Sequence, residues 1–366
     1  MTTTRHASPS TSSDAGNPAS ARAVQLDRVR RVLVAVFPFL LALMVGAVVL
    51  LAAGHNPLSA YALMAREALG SGSRIAATLA AATPLLFTGL ATAVAFRTGI
   101  FNIGVEGSFV AGGLTAAVVG FTFTGLPGPL LILTALAAAT VVGTLVTLGP
   151  GLLRAHWGVD EVVTTLMANF VVIGLCYYLV NTFLLAPGVA NNATPLIADH
   201  GRLPRLLPPS TLHFGLLIAL AAVIAYGIWL KRTPLGYEIR IVGINPEFSM
   251  AQGVNVARVI VMAMVVSGAI GGLGGAAHTL GVMHRFVEGF SPEYGFTGIA
   301  VALLGRNSAI GVVLASLLFG GLASAGSTMQ LFSDIPVDLV RVLQGVVMIF
   351  AVVQIFTDRR RVKGAD

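Results

Sequence analysis

The sequence predicts an all-α polytopic membrane protein, with about ten transmembrane segments arranged as two inverted five-helix halves. Three observations carry that expectation. Of 366 residues, 56% are hydrophobic and 10% charged, and mean hydropathy is +0.87, whereas soluble domains carry roughly 25% charged residues. Apolar runs near the roughly 20 residues that span a bilayer recur along the chain. Sixteen of the 22 Lys and Arg fall on one side of the map those runs define, the bias of cytoplasmic loops, which places both termini inside. The net charge of +7 therefore reports topology, and nucleic acid is not an expected partner.

Residues 1–27 are rich in Ser, Thr, Ala, Asn and Pro without apolar periodicity, and read as a disordered cytosolic tail. The transmembrane domain is expected over 28–360, followed by a short cytosolic tail at 361–366. The first apolar run, 32–53, is too long for the core of a signal peptide and suits a spanning helix. Further spans are expected at 75–96, 102–121, 130–150, 161–185, 213–230, 259–281, 294–305, 308–325 and 339–357. The run from Tyr294 to Leu304 is short for a bilayer of about 30 Å at 1.5 Å per residue, so it reads as a half-helix, a tilted or a re-entrant element. Arg306 and Asn307 break it, and the break puts the Arg359 to Lys363 cluster inside. Five segments fall on either side of the outer loop 186–212; an odd-numbered unit repeated in tandem must insert its second copy upside down.

Two stretches interrupted by Gly stand in the two halves, 98–107 and 289–298, and paired interruptions of this kind mark a solute path. The first brings Phe101, Asn102, Gly104, Glu106 and Gly107 to membrane depth or its edge. The second brings Glu293 and Tyr294. Glu106 is either a functional intramembrane carboxylate or an edge residue paired with Arg97. Asp160 and Glu161 fall at the start of the fifth span, where carboxylates meet the positive end of a helix dipole. Glu161, Thr165 and Asn169 then follow at i, i+4 and i+8 on one stripe, which faces protein or a cavity rather than lipid. Gly268, Gly271, Gly272, Gly274 and Gly275 crowd the seventh span, as close helix packing requires, and His278 at its outer end reads as interfacial.

The segment 231–258 is the one long polar interruption. Within it Asn245 suits a helix cap, Pro246 the first helical position, Glu247 the positive end and Gly253 a left-handed stop, giving a short helix over 246–252. Its apolar Phe248 and Met250 suit a membrane surface or a partner's groove. Upstream, the alternation of Leu235, Tyr237, Ile239 and Ile241 with Gly236, Glu238 and Arg240 fits either a helix or an extended segment.

FNIGVEG at 101–107, VDEVVTTLMAN at 159–169 and TPLGYEIRIVGINP at 233–246 together resemble the inner-membrane permeases of bacterial ABC importers. The resemblance is to the branched-chain amino acid and simple-sugar permease superfamily, nearest its nucleoside branch, and runs from about Val32 to Phe356. It implies a multi-pass permease of the bacterial inner membrane, paired with a second permease, with ABC ATPase subunits on the cytoplasmic side and with an extracytoplasmic solute-binding lipoprotein. The matching loop, with Gly236, Tyr237, Arg240, Gly243, Asn245, Pro246 and Gly253, is implied to be the ATPase-coupling segment. Phe248 and Ser249 depart from the family, where small alanines are more usual.

Other function classes find little support. A P-loop needs Gly-Lys followed by Ser or Thr, and the two lysines, Lys231 and Lys363, follow Leu230 and Val362. Ser267 and His278 lie about 16 Å apart along one helix, too far for a nucleophile and its base. No H-E-x-x-H cluster occurs and Cys176 is the lone cysteine, so no catalytic, metal or cofactor site is expected. An ion-coupled carrier needs titratable groups at mid-membrane, and Glu106 and Glu161 both suit helix ends.

Overall fold

A backbone in lipid must satisfy its own hydrogen bonds, and the chain folds accordingly into helices. The computed structural model describes residues 40–332, leaving out 42 and 190, together with 342, 344–346 and 349. Both expected tails, the start of the first span, most of the expected span 339–357 and the basic cluster after it lie outside the described residues. Among the described residues there is no strand, only isolated bridges at Ala193–Val287 and Arg205–His213.

The elements are α1 (Leu43–Ala52), α2 (Pro57–Leu69), α3 (Gly72–Arg97), α4 (Val105–Thr122), α5 (Gly128–Trp157), α6 (Glu161–Phe183), α7 (Gly215–Arg232), α8 (Pro234–Ile244), α9 (Pro246–Ala251), α10 (Val256–His278), α11 (Tyr294–Leu304) and α12 (Ala309–Phe332). Among the described residues, seven helices are long and apolar enough to cross a membrane, or eight if α1 and α2 form one broken span. Those two are bent by 117°, and α2 falls where a loop was expected. Asn56 accepts from Leu58 N–H at 3.0 Å and Pro57 opens the helix, while Ala60, Met64 and Glu67 turn inward, with Met64 in one cluster with Ala325 and Met329 of α12. Glu67 pairs with Arg74 of α3.

Helix α5 continues past the expected stop at Pro150 to Trp157, where Gly158 closes it at φ +66°. A proline deletes one N–H, and neighbouring helices can compensate in a membrane bundle. At 11 residues, α11 has the expected half-length.

The centre of the bundle is α3, α4, α5 and α10, drawn together by glycines. A Cβ on Gly272 would stand 3.0 Å from Gly143 Cα, and one on Gly143 would stand 2.7 Å from Gly272 Cα. One on Gly275 would enter the Phe109 backbone. This is the close contact that small residues permit where lipid supplies no hydrophobic drive for helix association. At the end of the bundle away from α8, the segment around 194–197 laces to 284–286: Thr194 N–H donates to the Phe286 carbonyl and Ile197 N–H to that of His284, both at 2.9 Å.

Candidate functional site

The chain leaves helical geometry between α3 and α4, and the residues of that break find partners on three neighbouring helices. Asn102, fully buried, donates from Nδ2 to Ser267 Oγ of α10 at 2.9 Å and accepts Gly104 N–H on Oδ1 at 2.8 Å. Ser267 Oγ in turn donates to the Ala91 carbonyl of α3 at 2.7 Å. One asparagine thus ties the break to α10 and, through Ser267, to α3.

The polar stripe of α6 meets the same break from the other side. Asp160 caps α6, its Oδ1 accepting from Val162 N–H at 2.8 Å. Glu161 Oε1 then accepts Phe101 N–H at 3.3 Å, Thr165 Oγ1 accepts Ile103 N–H at 3.2 Å, and Asn169 Oδ1 accepts Gly107 N–H at 2.8 Å. Asn169 Nδ2 returns a bond to the Ile103 carbonyl at 2.8 Å. Residues four apart on α6 therefore accept from the N–H groups of Phe101 and Ile103 in the break and of Gly107 in the first turn of α4, none of which has a helix partner. Gly107 is required for this approach, since a Cβ there would stand 2.7 Å from Asn169 Oδ1. Glu161 also pairs with Arg154 Nε at 3.1 Å, and the Phe101 ring, the more exposed end of the break, stacks on Phe96 at 4.8 Å.

The two Gly-interrupted stretches meet at Glu106. This carboxylate, 4% exposed in the first turn of α4, accepts Gly295 N–H from the first turn of α11 at 2.5 Å, with the Ser291 side chain beside it. Gly295 is needed here: a Cβ would lie 2.6 Å from Glu106 Cα. The positive end of a helix favours an anion. The alternative pairing with Arg97 does not form; Arg97 Nε donates to the Asn307 carbonyl at 2.9 Å. Glu293 stands at φ +65°, exposed, beside a groove of about 510 Å³ that Phe296, Ala300 and Phe319 also line.

Tyr294 packs above Glu106 in an aromatic cluster, 5.5 Å from Phe109 and 5.3 Å from His278, with Phe290 at 5.3 Å from the same imidazole. His278 is thus buried rather than interfacial, because the chain after α10 folds Phe290 and Tyr294 back over it. Its Nε2 has no hydrogen-bond partner among the described residues, and the helix continues beyond it as a π-turn, Thr279–Met283. Ser267 and His278 do not meet. The contributions of Ser267, Phe109, Phe290 and Gly295 escaped the sequence reading, although the glycine spacing around 289–298 flagged the last.

The polar segment after α7 forms two short helices. Thr233 Oγ1 accepts Gly236 N–H at 3.1 Å, and Pro234 opens α8, which settles the upstream part as helix. Asn245 Oδ1 accepts Phe248 N–H at 3.0 Å to cap α9, which ends at Ala251, one residue short of the expected stop, with Gly253 at φ +83°. Two glycines set α8 against the bundle: a Cβ on Gly236 would stand 2.7 Å from Leu230 Cα, and one on Gly243 would run into the Arg97 carbonyl. Arg240 Nε bonds the Gly236 carbonyl at 3.3 Å. The opposite side leaves Tyr237, Ile244, Phe248 and Met250 more than half exposed.

Residues 74–352 match the family described as "Branched-chain amino acid transport system / permease component". The chain is 35% identical to the nucleoside ABC transporter permease protein NupB of Lactococcus lactis subsp. cremoris, over 90% of this chain and 92% of that protein. It is 34% identical to the guanosine ABC transporter permease protein NupP of Bacillus subtilis, over 88% and 93%. Against the glucose ABC transporter permease protein TsgB13 of Haloferax volcanii the identity is 36%, over 89% and 88%. No solved structure matches. With most of its length inside the family match and relatives aligned nearly end to end, the chain belongs to the permease-component family of branched-chain amino acid transport systems.

Proposed function

We propose that this chain is the transmembrane permease subunit of an ATP-binding cassette importer that moves a nucleoside into the cytoplasm. Similarity over about nine-tenths of the chain to both a nucleoside and a guanosine permease carries the choice of solute. In this reading the bacterial cell membrane holds ten segments in two inverted halves, with both termini cytoplasmic. ATP is hydrolysed on partner ATPase subunits, a second permease completes the pore, and a lipoprotein receptor delivers the solute. Gly236, Tyr237, Arg240, Gly243, Asn245, Pro246 and Gly253 build the coupling segment, and the exposed Tyr237, Phe248 and Met250 offer the ATPase an apolar ridge. The solute path runs by Phe101, Asn102, Gly104, Glu106, Gly107, Glu161, Thr165, Asn169, Glu293 and Tyr294. The similarity to a glucose permease at 36% identity supports a second reading, a simple sugar.

Reconstitution of the permease with its ATPase, partner permease and receptor separates the two. ATP-dependent accumulation of radiolabelled guanosine, unaffected by excess glucose, is the expected result. Glucose accumulation without nucleoside uptake would establish the sugar reading, and nucleoside uptake without ATP would sink the importer.

A further inference from the structure

We propose that the groove between α7 and α12 is a binding site for an anionic phospholipid of the cytoplasmic leaflet, set at the joint between the membrane bundle and the coupling helices. The proposal rests on the orientation given under Proposed function.

The groove has a volume of about 660 Å³. Its apolar length is built by Ile224 and Ile228 of α7 and Ile310 of α12, which are 61%, 55% and 76% exposed. The two helices touch at its floor, where a Cβ on Gly227 would lie 3.4 Å from Ala309 Cβ. At one end stand three cations, Arg97, Lys231 and Arg232, and among the described residues no carboxylate lines the groove. Arg97 is committed to the carbonyls of Arg306 and Asn307. Lys231 and Arg232 are not committed in this way. Arg74 pairs with Glu67, Arg154 with Glu161 and Arg202 with Asp199, whereas the exposed side chains of Lys231 and Arg232 make no ion pair or hydrogen bond among the described residues.

An apolar trough ending in unpaired cations complements one kind of amphiphile, a pair of acyl chains below an anionic headgroup. Basic pockets between transmembrane helices on the cytoplasmic side are suited to such lipids, and each basic residue near the surface contributes about fivefold in affinity. The site borders the coupling region, because Arg97 at its mouth offers the carbonyl against which Gly243 of α8 is packed. Lipid in the groove would therefore brace the contact through which α8 meets α3.

The two tryptophans permit a direct test, since Trp229 lies between groove residues Ile228 and Leu230 and Trp157 is exposed on α5. The full-length W157F protein is reconstituted in vesicles of phosphatidylcholine. Brominated phosphatidylglycerol or brominated phosphatidylcholine is then added as the quencher of Trp229 at equal mole fraction. Stronger quenching by the anionic lipid is expected, with its relative affinity falling about fivefold for each of K231Q and R232Q. Circular dichroism confirms that each variant is folded. Equal quenching by the two lipids in the parent protein would overturn the proposal. So would loss of all lipid quenching when the permease is assembled with its partner permease, because the groove would then be a protein interface.

Discussion

At the scale of single residues, Asn169 and Glu106 hold the break between α3 and α4 in two different ways. Asn169 supplies both an acceptor and a donor to backbone groups that have no helix partner. Asn169→Ala leaves the Gly107 N–H and the Ile103 carbonyl without it, and the cost is expected to be about 1–3 kcal/mol, read as a lowered midpoint of thermal unfolding in detergent. An unchanged midpoint would mean that the amide does not hold the segment. Glu106 places its carboxyl at the N-terminus of α11, where Gly295 N–H donates to it. Glu106→Gln keeps an acceptor for Gly295 N–H, so a smaller effect, about 0.3–2 kcal/mol, is expected. Glu106→Ala loses the acceptor and strands a buried N–H, and should destabilise more. The reverse order would show that the carboxylate is tolerated at this place rather than stabilising it.

At the scale of elements, Gly243 sets how closely α8 approaches α3. A methyl group at Gly243 enters the Arg97 carbonyl, a backbone atom that cannot swing aside as a side chain would. Gly243→Ala is therefore expected to tilt α8 and abolish stimulation of the partner ATPase while membrane insertion, followed by fractionation, stays normal. The double variant Arg240→Ala with Asn245→Ala should reduce transport and ATPase stimulation together, since it removes an α8 side-chain bond and the α9 cap. Normal transport in the double variant would exclude these two as coupling contacts. The elements also differ in how far the sequence disclosed them. A run of 20 apolar residues in lipid has one solution, so α3, α4, α6, α7 and α10 were legible from length alone, and α11 from being too short. Helix α2 was not, because only its Ala60, Met64 and Glu67 side is buried and its charges resemble those of a loop. Helix α5 runs on to Trp157, beyond the expected end at 150, since neighbours in a bundle compensate for the N–H that Pro150 lacks. At the site, the i, i+4, i+8 spacing exposed the stripe on α6, but not its partner. That partner is the backbone of 101–107, and only tertiary packing brings the two together. His278 was read as interfacial for the same reason: the rings that bury it arrive from residues 290 and 294, more than a turn of helix and a loop away.

At the scale of the whole molecule, the arrangement of charge bears on what drives transport. A carrier driven by an ion gradient needs a group whose protonation or ion occupancy changes as the two sides alternate. Glu161 is held by Arg154 and by the Phe101 N–H, and Glu106 by the N-terminus of α11, so both carboxylates have partners of the chain's own. These contacts brace helix ends, a role compatible with energy supplied through α8 and α9 from outside the bilayer. Replacing both acids, Glu106→Gln with Glu161→Gln, should therefore slow uptake in the reconstituted transporter by loosening the break. The residual uptake should still require ATP and should be insensitive to a protonophore. Uptake by the parent protein that collapses with the proton gradient while ATP is present, and that disappears in the double variant, would instead place the coupling ion at these carboxylates and refute the ATP-driven reading.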